Sequence, residues 1–102
     1  MSQLSAFAIQ TTSVNLTVGT TSSAVIADTN GNRTQYRIAN LGSNTVYFTY
    51  GPPGTTPTAS LTTSVAMLGG TVEVFTLPAN AVIAAIAAAT GNTLNITPGE
   101  GL

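Results

Sequence analysis

The chain has 102 residues, two Arg, no Lys, three acidic residues, no His and no Cys, with a formal net charge of −1. That length predicts one domain. The missing Cys excludes disulfide and thiolate chemistry, and the missing His removes the common zinc and general-base constellations. A folded protein of this mass exposes on the order of 5,000 Å², and five charged side chains leave such a surface almost neutral. Free soluble domains carry roughly 25–35% charged residues on their surfaces. Disorder is not the expected alternative, because 43% of the residues are hydrophobic and disordered chains combine low hydrophobicity with high net charge. The composition predicts a chain that folds and then packs against something.

The same arithmetic bears on partners. Arg33 and Arg37 alone cannot supply the counterion-displacing field of a nucleic-acid binder. No apolar stretch approaches the roughly 18 residues that would suggest a membrane helix. Met1 to Phe7 has neither a basic start nor a following apolar run, so no signal peptide is expected and synthesis in a host cytoplasm is.

In chain order, residues 1–12 read as an N-terminal arm, residues 13–97 as a single β domain and residues 98–102 as a C-terminal tail. Thr is the commonest residue and, with Val, suits a pleated, half-buried surface. Val14, Leu16 and Val18 alternate with Asn15 and Thr17, which predicts a strand with three apolar side chains on one face. Ala24 to Ala27 is a short apolar run, and Asn30-Gly31 after it suits a hairpin turn. Asp28 to Asn32 also opens like a calcium loop. The sixth position is Arg33 instead of Gly, and the twelfth is Ala39 instead of Glu, so the turn is the better reading.

The return strand is expected over Thr34 to Asn40, with Tyr36 and Ile38 inward and Gln35 and Arg37 outward. After a turn at Leu41 to Asn44, Thr45 to Tyr50 alternates with aromatic residues on both faces, which predicts burial on both. Gly51 to Pro57 lacks the donors for a ladder and reads as a loop and contact arm. Leu61 to Leu68 is ambiguous. Thr71 to Leu77 is a strand closed by Pro78. Ala81 to Ala89 admits a short helix or a strand. The turn at Thr90 to Asn92 and the alternation of Thr93 to Thr97 favour a strand, and hence a C-terminal hairpin. About seven to eight short strands at this spacing predict an all-β, antiparallel sandwich or barrel of jelly-roll-like form.

Catalytic candidates are sparse. Asp28, Glu73 and Glu100 are the carboxylates available for acid and base work. Glu100 lies in a Gly-flanked tail and Glu73 reads as outward from its strand, so neither is expected to be tuned by burial, and a Ser nucleophile would have no His or Lys as base. No enzyme activity, cofactor or metal is expected. The three Asn-x-Thr matches at Asn15, Asn32 and Asn95 are at the level chance predicts for so Thr-rich a chain. Arg37 and Glu73, each the single charge of its strand, guard an edge or form an ion pair between subunits. With Tyr47, Pro52 and Pro53 they are the candidate intersubunit contacts.

Four strings are similar to one class of protein: Tyr36-Arg37-Ile38-Ala39-Asn40, Val46 to Gly51, Leu68 to Phe75 and Leu94 to Gly101. Over Thr34 to Leu102 the layout resembles small virion structural proteins of tailed bacteriophages, particularly those that decorate or cement the head. The resemblance implies a β-rich, cofactor-free protein at the capsid surface. Its partners would be the major capsid protein and copies of itself, as a trimer before a dimer. Fibre or receptor-binding modules, with Tyr47 and Tyr50 toward a glycan, and collar or tail-joining proteins are the alternatives.

Overall fold

The alternation of Val14, Leu16 and Val18 produces β2 (Val14–Val18), whose Leu16 and Val18 are buried while Asn15 and Thr17 stay exposed. In the computed structural model, which describes residues 8–9, 11–28 and 33–100, it is one of nine strands. The others are β1 (Ala8–Ile9), β3 (Ser23–Ile26), β4 (Gln35–Asn40), β5 (Val46–Gly51), β6 (Val65–Met67), β7 (Val72–Thr76), β8 (Val82–Ala87) and β9 (Asn92–Glu100). No helix occurs among the described residues.

The strands form two antiparallel sheets. One runs β2-β9-β4-β7, with β1 extending the β2 side along the end of β9, and the other runs β3-β8-β5-β6. The pairs β2–β9, β3–β8, β4–β7 and β5–β6 are nested one inside the next, as in a long antiparallel ribbon rolled over itself. This winding is the jelly roll, so the all-β sandwich expectation holds. The core between the sheets contains Val18, Tyr36, Ile38, Val46, Ile83, Leu94 and Ile96, all fully buried. Each large aliphatic among them contributes about 1.5–3 kcal/mol by its burial. Phe48 and Phe75 meet edge to face across the two sheets, centroids 4.9 Å apart.

Several local expectations change. The hairpins expected between β3 and β4 and between β8 and β9 do not form, because each of those connections crosses from one sheet to the other. The Asn30-Gly31 turn lies outside the described residues. The Ala-rich segment is a strand, as the flanking turns suggest. Pro98 to Glu100 are not a tail leaving the sheet: β9 runs through Glu100, with Pro98 opposite Tyr36 and Gly99 opposite Gln35.

Hydrogen-bond parity explains how Pro98 fits. Leu41 donates to Thr93 O at 2.9 Å, so odd-numbered residues of β9 face β4 and Pro98 turns its donor-less nitrogen the other way. On that side the register of β2 begins at Ile96 and that of β1 at Gly99, which leaves no ladder for Pro98 to break.

The Pro-rich loop is likewise not a projecting arm. It folds back over the outer face of its own sheet, where Ala59 is buried and its amide donates to Ser22 Oγ at 2.9 Å, beside β3. A Cβ on Gly51 would lie 2.8 Å from Thr55 Oγ1 and 3.3 Å from Pro57 Cβ, so only glycine lets the loop cross there. Beneath it Val82 and Ala84 on the outer face of β8 are buried. This strap makes β8 a strand covered on both sides, which suits its unbroken apolar sequence better than a helix with one apolar stripe.

Candidate functional site

The predicted contact residues occupy separate places. Arg37 is on the outer face of the β2-β9-β4-β7 sheet, half-buried between Thr97 of β9 and Val74 of β7. Glu73 is opposite Ile38, a buried inward residue, and shares its face with Phe75, which packs on the core. The outward placement of Glu73 is therefore corrected: it lies on the inner face, and it is exposed because β7 is the edge of the sheet. Arg37 and Glu73 thus point to opposite sides of one sheet. Tyr47 belongs to the other sheet, half-buried between Ile86 and Ala66. Pro52 and Pro53 are exposed where the strap begins, in a turn closed by the Thr55 hydroxyl donating to Pro52 O at 2.6 Å. Arg37, Glu73, Tyr47 and the adjacent pair Pro52–Pro53 therefore occupy four separate places.

The structure instead gathers polar groups at the end of the sandwich where β3 stops and β8 starts. Asp28 and Arg33 form an ion pair at 3.2 Å, with side chains 5% and 16% exposed. Tyr36, fully buried, donates its hydroxyl to Arg33 O at 3.1 Å. Burial pushes its phenol up from the ordinary value, and the Asp28 carboxylate adds to that; the backbone amides of Ala81 and Asn80 and the Arg33 charge act in the opposite sense. Asn80 stands at φ 59° with its buried Oδ1 lacking a hydrogen-bond partner. A hollow of about 200 Å³ opens between Asp28, Asn80, Ile26, Val82 and the strap residues Pro53 and Gly54. The sequence signal for the ion pair was present, since Asp28 and Arg33 flank the expected turn with opposite charges.

This cluster has a structural chemistry. The guanidinium neutralises Asp28, and Tyr36 presents a protonated hydroxyl to a carbonyl. Among the described residues no three His, Cys, Asp or Glu side chains lie together as a metal-holding group. The other surface feature is apolar and spread over both sheets and their loops. Ile9, Ile26, Leu41, Tyr50, Leu61, Val65, Leu68 and Val72 are large and exposed, from 44% for Leu61 to 70% for Ile9. Compared with protein families, with curated proteins and with solved structures, the chain matches none of them.

Proposed function

We propose that the chain is a structural, non-enzymatic protein of a bacteriophage virion, a head decoration or cement protein that joins copies of itself and braces the shell formed by the major capsid protein. The observation that carries this reading is the surface. It measures 5477 Å², contains exposed Leu, Ile, Val and Tyr side chains, and is served by five charges, of which Asp28 and Arg33 neutralise each other. A surface so poorly charged favours association over free solution. Repeated on a symmetric shell, many weak apolar contacts add to a firm attachment.

The test is co-sedimentation of the purified protein with expanded empty shells. Saturable pelleting in many copies per shell supports the reading. Protein that stays in the supernatant at every concentration removes it, and binding to a host glycan without affinity for shells replaces it with the receptor-binding alternative.

A further inference from the structure

The edge strand β7 offers an interaction surface that the rest of the fold leaves open. Asn40 donates to Thr71 O at 2.9 Å and Leu77 donates to Thr34 O at 2.7 Å, and the register between them is unbroken. Antiparallel alternation then turns the amides and carbonyls of Glu73 and Phe75 toward β4 and those of Val72, Val74 and Thr76 away from the sheet. Among the described residues nothing pairs with that outward row. Strand edges are normally guarded by Lys, Pro or a bulge. β7 has no Lys, Pro or bulge between Val72 and Thr76, its one guard being the Glu73 carboxylate on the inner face, and Val72 is 47% exposed.

We propose that β7 pairs antiparallel with β7 of a second copy, across a two-fold axis at Val74. In that register Val74 faces Val74, and Val72 faces Thr76 of the second copy. Every outward amide and carbonyl of one strand meets its complement, two hydrogen bonds per facing pair. The strand is self-complementary in this register, and its charge pattern disfavours the slip toward Glu73. Glu73, the one charge of the strand, falls opposite Phe75, whereas a slip that centres the axis on Glu73 would set two carboxylates face to face, a destabilising cross-strand pair. A net charge of −1 per chain adds little repulsion between copies. The pairing joins two β2-β9-β4-β7 sheets into one continuous sheet and selects the dimer as the oligomer. It also separates Arg37 from Glu73 of the second copy, because a continuous sheet keeps their two faces apart. It concerns the isolated protein and stands or falls independently of the shell.

Light scattering and sedimentation equilibrium on the full chain test this. Wild type is expected to reach about twice the 10.2 kDa of one chain. Val74→Pro removes only an outward amide, so it should keep the wild-type circular dichroism and sediment as a monomer. Val74→Lys and Val74→Glu should each be monomeric, and an equimolar mixture should restore a mixed dimer, because position 74 faces itself across the axis. A monomeric wild type at every concentration overturns the proposal. So does a Val74→Pro dimer of wild-type affinity, or a failure of the Lys and Glu variants to pair.

Discussion

Asn44 donates a 3.3 Å hydrogen bond to Oδ1 of Asn92, and that bond joins the β4–β5 turn to the start of β9 at one end of the sandwich. Asn92 also donates to Ala89 O at 2.9 Å, and neighbouring Asn40 donates to Asn44 O and Met67 O at 2.9 and 3.0 Å. Both Asn40 and Asn92 are 1% exposed. Sheet-to-sheet connections meet here, and side-chain amides satisfy carbonyls that no ladder reaches.

Asn92→Ala should therefore destabilise the protein by about 1–3 kcal/mol, the cost of stranding buried polar groups. A Cβ added at Gly42 would meet the Asn92 carboxamide and come within 3.1 Å of its Cα. Gly42→Ala should be harmful in wild type and clearly less so beside Asn92→Ala, a coupling measurable as non-additive urea midpoints.

Two glycines should separate crowding from backbone strain. A Cβ at Gly69 would lie 2.6–2.9 Å from backbone atoms of Ser43 and Gly42, with no flexible side chain to move. Gly54 has open space but a φ of +81°. Gly69→Ala is expected to cost about 2–4 kcal/mol and Gly54→Ala about 1 kcal/mol, read as shifts in thermal midpoint.

Alkaline pH should act through Tyr36. Its folded pKa is raised, chiefly by burial, so the native state holds this proton where the unfolded chain has released it. Its contribution to stability is full below the unfolded value of 10.0 and is lost as pH rises through the folded value. Unfolding free energy should fall as pH rises from the unfolded value through the folded one, and Tyr36→Phe should flatten that part of the profile while lowering stability at neutral pH by about 1 kcal/mol through the lost bond to Arg33 O.

Among the described residues, one side-chain bond ties the strap to the rest of the sandwich, from the Ala59 amide to Ser22 Oγ. Ser22→Ala should raise hydrogen exchange at the Ala59 amide and loosen the cover over Ala84 at a global cost of about 1 kcal/mol. Unchanged exchange at Ala59 would mean that packing alone holds the strap.

Local alternation was enough to determine that the chain is all β, where most strands lie, and that Val14, Leu16, Val18, Tyr36 and Ile38 face inward, because a side-chain period of two belongs to the strand itself. It failed where both faces are apolar. In β7, Glu73 read as outward, yet Phe75 meets Phe48, and that contact across the sheets places Glu73 on the inner side. The proposed interaction surface was legible only as an excess of uncharged residues. Which strand ends up at an edge, which loop folds back as a strap and which polar groups gather around Tyr36 were decided by tertiary structure alone. Gly and Asn turn signals serve a hairpin and a sheet-to-sheet crossing equally well, and strand partners are chosen by hydrogen bonds and packing between residues far apart in the chain.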